Sequence, residues 1–92
     1  GEAALKSFDL YQNQPNPFSE ATNISFRLPD AGRAKLNIFG MDGRLVKTII
    51  GDYPAGNNTV TVRKDDLGRP GVYWYEVETL QNSDRKKMIL ID

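Results

Sequence analysis

Apolar and polar residues alternate along most of this chain, in short runs separated by turn residues. In the first clear run, residues 23–28, every second residue is apolar. A period of two with one apolar face predicts a half-buried strand. Further strands are predicted at residues 33–39, 44–50, 57–63, 72–78 and 85–91, with a short edge strand at 8–11. The first two alternating runs are expected to point Ile24, Phe26, Leu28, Ala34, Leu36 and Ile38 inward.

Gly, Pro and Asp residues fill the connections between the runs. Residues 40–43 predict a tight hairpin turn, because their Asp-Gly pair tolerates the positive φ that such turns need. Residues 64–71 form a longer connection, in which one helical turn is expected around residues 65–67. Six or seven short strands, about 8–12 residues apart, predict an all-β fold built as an antiparallel β-sandwich. The pattern leaves the strand order open, and the register of residues 44–50, which are apolar on both faces, is ambiguous.

A proline-rich segment, residues 13–18, precedes the first alternating strand. Each proline lacks a backbone N–H and pushes the residue before it towards an extended conformation, so the segment is neither helix nor central strand. We therefore expect a stiff bend that buries Phe18 against the sheet. The side-chain amides of Asn13 and Asn16 are expected to bond to backbone groups that the prolines leave unpaired. We call residues 13–18 the proline bend.

Composition narrows the class of protein. A chain of 92 residues makes one domain, and its 12 basic and 12 acidic side chains balance, which argues against nucleic-acid binding and against attraction to anionic lipid. Cys and His are both absent, and no apolar run approaches the ~20 residues of a membrane-spanning helix. Because the chain opens with Gly1, we expect an excised domain, with residues 1–7 a linker or vector-derived remnant and residues 8–92 the domain itself.

Candidate catalytic groups are few. Asp65 and Asp66 are neighbours in a loop, and Glu76 and Glu78 share one face of a strand, so neither pair can flank a scissile bond as a glycosidase requires. Asp residues in turns favour local backbone hydrogen bonds, and no calcium-loop or phosphate-binding motif is present. We therefore expect no catalytic activity, no cofactor and no metal.

The aromatic cluster in residues 73–75 allows two interpretations. Alternation places Tyr73 and Tyr75 on one face of the strand and Trp74 on the other, beside Glu76. An exposed Trp74 could stack on a sugar ring, which would make the chain a carbohydrate-binding module. The favoured alternative is that both faces are largely covered and that Trp74 lies under a loop such as the proline bend.

Several blocks along the chain, taken in order, resemble one known family. The blocks are residues 12–18, 22–26 with 28–29, 36–39, 42–46, 71–75 and 86–90, and Gly56 precedes a Val-rich strand between the blocks at 42–46 and 71–75. Together they closely resemble the C-terminal sorting domain of the type IX (Por) secretion system of Bacteroidetes, in its type A form. The resemblance runs from about Phe8 to the end of the chain.

The resemblance implies a fold and a function. The expected fold is an immunoglobulin-like sandwich of about seven strands at the C-terminus of an exported protein. Such a domain is a non-catalytic address: the cargo reaches the periplasm, and the outer-membrane translocon recognises the folded domain and passes the cargo to the surface. A sortase-like peptidase usually removes the domain, and the cargo is secreted or joined to anionic lipopolysaccharide.

The family's motifs carry over onto positions of this chain. The residues expected to form the sorting motif are Pro15, Asn16, Pro17, Phe18, Gly43, Arg44, Gly71, Val72, Tyr73, Lys86 and Lys87. The chain departs from the family pattern at Gln14, where an aromatic residue is common, and in the ending Ile91-Asp92. We expect Lys86, Lys87 and their strand edge to contact the receptor. The alternatives are a carbohydrate-binding sandwich and a structural spacer resembling the immunoglobulin-like domain of flagellar hook-capping proteins.

Overall fold

The computed structural model describes residues 7–92, so the predicted linker lies outside the described residues except for Ser7. The strands are β1 (Asp9–Leu10), β2 (Ala21–Leu28), β3 (Gly32–Phe39), β4 (Leu45–Tyr53), β5 (Gly56–Arg63), β6 (Gly71–Glu78) and β7 (Ser83–Leu90). One short helix, α1 (Lys64–Leu67), lies where a single helical turn was predicted.

The strands form two antiparallel sheets. One sheet has three strands in the order β1-β2-β5, and the other has four in the order β4-β3-β6-β7. This arrangement confirms the predicted all-β sandwich and supplies the strand order that the sequence left open.

The core lies between the two sheets and contains all six side chains that alternation pointed inward in the first two runs. Its buried members include Ile24, Phe26, Leu28, Ala34, Leu36, Ile38, Val62, Tyr75, Val77 and Met88. Phe26 of the three-stranded sheet meets Tyr53 of the four-stranded sheet edge to face, with ring centroids 5.1 Å apart. Aromatic pairs prefer this geometry, which joins the two layers at one end of the sandwich.

β4 carries apolar side chains on both faces, and a register shift lies near its start. Ile38 pairs with Lys47 while the next residue, Phe39, pairs with Leu45, so the extra residue Val46 forms a bulge. Leu45, Val46 and Ile50 are exposed. The apolar side chains of β4 are therefore divided between a buried and a solvent-facing surface.

The strand predicted at residues 44–50 is longer than expected, because β4 continues to Tyr53. Gly51 and Asp52 stay in register with Ala34 and Arg33 of β3. Pairing with β3 and the packing of the Tyr53 ring in the core outweigh the turn-favouring composition of this segment.

One of the two acidic residues of α1, Asp66, has structural partners. The Asp66 carboxylate accepts a hydrogen bond from the Arg63 N–H (2.9 Å) and lies 3.4 Å from the Lys47 Nζ of β4. Leu67 of the same helix is buried in the core. The helix thereby closes the sandwich on the side where β4 is the edge strand.

Candidate recognition surface

The proline bend lies along the outer edge of β7. The Phe18 N–H donates to the Ile89 carbonyl (2.9 Å), and the Ile91 N–H donates to the Phe18 carbonyl (2.8 Å), which forms a parallel bridge between Phe18 and Leu90. The Asn16 Oδ1 accepts from the Ile89 N–H at 2.9 Å. The backbone groups that β7 would present as a free edge are therefore occupied by the bend near the end of the strand.

The bend is anchored from inside by two buried side chains. Phe18 is 1% exposed, as predicted, and Asn13 is equally buried. The Asn13 Nδ2 donates to the Pro15 carbonyl (3.2 Å) and to the Thr22 Oγ1 (3.0 Å), so its amide bonds within the bend as expected. Both prolines follow cis peptide bonds.

Asn16 has a different partner from the one expected. Its amide oxygen bonds to a backbone N–H of β7, 73 residues away in sequence, rather than to a group of the bend. The reason is the position of the bend beside a strand edge, whose outward-facing N–H groups need acceptors. Asn16 therefore joins the bend to the last strand.

Tyr75 fastens the segment before the bend to the centre of the four-stranded sheet. Its hydroxyl donates to the Tyr11 carbonyl (2.7 Å) and accepts from the Asn13 N–H (2.9 Å). The side chain is completely buried, and this burial raises the pKa of Tyr75 to about 12. The sequence placed Tyr75 on the same strand face as Tyr73 but assigned it no role, although a buried tyrosine hydroxyl generally requires a polar partner.

Gly43 and Arg44, which we call the turn motif, lie at the tip of the β3–β4 hairpin. Gly43 has a φ of +84°, a conformation that glycine adopts without a Cβ penalty. The Arg44 N–H donates to the Asp42 Oδ1 (3.0 Å), and the Gly40 N–H donates to the Arg44 carbonyl (2.9 Å). These bonds close the turn and leave the Arg44 side chain exposed.

The Gly71-Val72-Tyr73 motif opens β6. Gly71 pairs with Leu90, the residue bridged to Phe18, so this motif lies beside the proline bend across β7. Tyr73 is buried, and its hydroxyl donates to the Arg69 carbonyl, which holds the loop between α1 and β6 against the sheet. Val72 faces the outer side of the sheet, opposite Ile89.

The turn motif and the β6 motif line one cleft. The cleft has a volume of about 650 Å³ and includes Arg44, Val72 and Tyr73 among its walls. The proline motif, the turn motif and the β6 motif thus gather at the end of the sandwich that carries the end of β7. Sequence distance hides this, because antiparallel pairing brings the start of β6 to the end of β7.

Lys86 and Lys87 point to opposite faces of the four-stranded sheet. Lys86 is paired with the buried Tyr75, and Lys87 is paired with Trp74 on the outer face. Lys86 is half-buried and Lys87 is exposed. The structure therefore separates the two lysines that the sequence grouped as one basic motif.

A sequence model of the family described as "secretion system C-terminal sorting domain" matches residues 13–91. The chain belongs to this family. The match begins at the first residue of the proline bend and ends at Ile91, whose N–H bonds to Phe18. No curated protein and no solved structure matches the chain.

Membership confirms the resemblance at the level of the family and supports a type IX secretion C-terminal sorting signal. A domain of this kind belongs to an exported protein, secreted or held at the cell surface, and its family is not a catalytic one. The type A subtype stays a prediction. In the described part of the sorting domain, no helix is long and apolar enough to cross a membrane.

Trp74 of the sorting domain lies half-buried on the outer face of the four-stranded sheet. Its ring is covered by two cations, with the Lys87 Nζ 5.2 Å and the Arg85 Cζ 5.7 Å from the ring centroid. The expectation that a loop such as the proline bend covers Trp74 is wrong. Two cations cover the ring instead, because the bend follows the edge of β7.

The strand carboxylates of the sorting domain face the same outer surface. The Asn37 Nδ2 lies 3.0 Å from the Glu78 Oε1 and 3.5 Å from the Glu76 Oε1. Lys35 forms an ion pair with Glu78 at 3.8 Å. Among residues 7–92 no group of three acidic side chains is placed to hold a metal ion. The two carboxylates are held by cross-strand neighbours on one face rather than opposed across a cleft.

Proposed function

We propose that this sorting domain is read in its folded form by the type IX translocon at the outer membrane, which passes an upstream cargo from the periplasm to the cell surface. The observation that carries the proposal is the junction of the proline bend with β7, at the two limits of the segment that matches the family. Asn16 and Ile89 are 73 residues apart in sequence but are joined by a hydrogen bond. A receptor that binds this junction distinguishes a folded domain from an unfolded tail.

In the proposed route the sorting domain is removed after it has been recognised. A sortase-like peptidase cuts in the linker before Phe8, and the cargo is released or joined to anionic lipopolysaccharide. The domain itself is non-catalytic and acts only as the sorting signal.

The proposed receptor contact includes Lys86 and Lys87 together with the end of β7 and the motifs gathered beside it. Gln12 supports this region, because its Nε2 donates to the Lys87 carbonyl at 2.7 Å. Since the two lysines lie on opposite faces, the receptor in this proposal contacts both faces of the four-stranded sheet at its β7 edge.

The test fuses the 92-residue chain to the C-terminus of a fluorescent reporter that carries a signal peptide, in a bacterium with a working type IX system. We expect the reporter at the cell surface or in the medium, and in the periplasm when the translocon is deleted. If the intact domain leaves the reporter in the periplasm of the competent strain, the proposal is wrong.

The contribution of the lysines is tested in the same strain. The double variant Lys86→Ala/Lys87→Ala is expected to reduce export while the purified domain keeps its urea midpoint. Lys35→Ala/Lys47→Ala is the matched control, because these side chains are 46% and 41% exposed and lie on β3 and β4, away from the β7 edge. Equal export of the two double variants would remove the claim about Lys86 and Lys87.

One observation favours a second candidate function, which is carbohydrate binding. Trp74 lies on an outer face beside Glu76 instead of in the core. Binding of the chain to a glycan array, lost in Trp74→Ala, would support this alternative. A purely structural spacer would show neither export nor glycan binding.

A further inference from the structure

A row of aromatic and basic side chains crosses the outer face of the four-stranded sheet. Trp74 of β6 is paired with Phe39 of β3 on one side and with Lys87 of β7 on the other. Arg85 lies two residues before Lys87 on the same face of β7. We call Phe39, Trp74, Arg85 and Lys87 the aromatic–basic platform.

The aromatic rings hold both cations in place. The Arg85 Cζ lies 5.5 Å from the Phe39 centroid and 5.7 Å from the Trp74 centroid. Lys87 Nζ lies 5.2 Å from the Trp74 centroid. A guanidinium that stacks on an aromatic ring keeps its planar N–H edge available for two parallel hydrogen bonds to a carboxylate. The platform therefore presents donors whose positions are fixed before a partner arrives.

The two cations have no carboxylate partner within the described chain. Glu76 is paired with Arg85 across the strands, but its Oε1 lies 3.5 Å from the Asn37 Nδ2. Glu78 is shared between Asn37 and Lys35. Neither Arg85 nor Lys87 takes part in the ion pairs formed among residues 7–92. Two positive charges without an ion-pair partner therefore lie together on this face, although the formal net charge of the whole chain is zero.

The spacing of the two cations points to a class of partner. Residues i and i+2 of a strand lie about 6.7 Å apart on one face. An extended segment with acidic residues at alternate positions carries its carboxylates at the same spacing. A membrane surface would instead require a broad basic area, whereas the 12 basic and 12 acidic residues of this chain balance.

We propose that the aromatic–basic platform binds an extended acidic segment of the partner protein that reads the sorting domain. Arg85 and Lys87 each take one carboxylate, and the residue between the two acidic positions of the segment points away from the sheet. Val72 and Ile89 continue the surface on its apolar side. This inference rests on the proposed function and specifies the chemistry of the receptor at the β7 edge.

In the binding test, a synthetic peptide with Glu at alternate positions separated by Thr is titrated into the 92-residue chain. Binding is measured from the NMR chemical shift of the Trp74 indole N–H. A peptide with Gln in place of each Glu is the ligand control. We expect saturable shifts of the indole signal with the Glu peptide alone. In Arg85→Gln/Lys87→Gln the affinity should fall at least about tenfold, as expected for losing a charge-assisted hydrogen bond.

The matched control variant is Arg33→Gln/Lys35→Gln. These two residues have the same spacing on the outer face of β3, but each already has a carboxylate partner, Asp52 at 3.5 Å and Glu78 at 3.8 Å. This variant should bind the Glu peptide within about twofold of the unmodified chain. Equal affinity for the Gln peptide, an unchanged affinity in Arg85→Gln/Lys87→Gln, or shifts produced by phosphatidylglycerol vesicles and not by the Glu peptide would each overturn the proposal.

The reporter assay separates this inference from the function on which it rests. Export of the unmodified fusion with a clear loss in Arg85→Gln/Lys87→Gln supports both. Export that is equal in the two, together with no peptide binding, overturns the platform and leaves the sorting function intact. If the unmodified fusion is not exported, the sorting function is overturned. The peptide titration is then the only test of the platform.

Discussion

Replacement of Tyr75 by Phe tests how the proline bend is attached. The substitution keeps the ring in the core and removes the hydroxyl that bonds to Tyr11 and Asn13. The Asn13 N–H then lies buried without its acceptor. Leaving a buried polar group unpaired costs about 1–3 kcal/mol, so we expect the free energy of unfolding at pH 7 to fall by that amount.

The same hydroxyl makes stability depend on pH in the alkaline range. Burial raises the pKa of Tyr75 to about 12 in the folded chain, against an ordinary value of 10.0. Because the folded pKa is above the unfolded one, this contribution is fully present below pH 10 and is lost as the pH rises towards 12. A difference of about two pKa units corresponds to roughly 2–3 kcal/mol.

Urea denaturation followed by far-UV circular dichroism between pH 7 and pH 11.5 measures both effects. The stability gap between the unmodified chain and Tyr75→Phe should be widest near neutral pH and should narrow steadily above pH 10. Tyr11→Phe is the control, because the Tyr11 side chain is 43% exposed and only its backbone carbonyl bonds to Tyr75. A stability gap that stays constant across this pH range would refute the argument that burial of the Tyr75 hydroxyl causes the loss of stability above pH 10.

Two further changes test the burial of the bend and the shape of the turn. Phe18→Ala should lower the free energy of unfolding by about 3–5 kcal/mol, the cost of truncating a buried Phe, and should shift the urea midpoint accordingly. Unchanged stability with lost export would instead make Phe18 a receptor contact. Gly43→Ala should cost about 1–2 kcal/mol, because its φ of +84° places a Cβ against the following carbonyl. Gly32→Ala, where an added Cβ meets no atom within 4 Å, should be close to neutral in the same melt, and equal losses at both glycines would contradict this account.

Much of the fold could be predicted because the local pattern and the tertiary burial agree. In β2 and β3 every inward position except Thr22 is occupied by an apolar residue, and alternation alone identifies the buried face. The single helical turn expected around residues 65–67 is present as α1, Lys64–Leu67. These features depend on neighbours in sequence.

The candidate site was less predictable because it depends on pairing between distant segments. The prolines indicated a bend, but no local signal states that it covers the edge of β7 rather than another edge. The role of Tyr75 depends on residues more than 60 positions away. One signal was available in the sequence: Lys86 and Lys87 are adjacent in a strand, and adjacent strand residues point to opposite faces.

The bridge between Phe18 and Leu90 has a consequence for the history of each molecule. Three bonds of the bend, to Ile89 and Ile91, and the burial of Phe18 beside Leu90 all require the final residues of the chain. A domain trimmed before Ile89 by a protease keeps the bonds of Asn13 but loses the attachment of Asn16 and Phe18 to β7, which opens the core at that end. The intact junction therefore distinguishes a domain that has kept its last strand from one that has lost it.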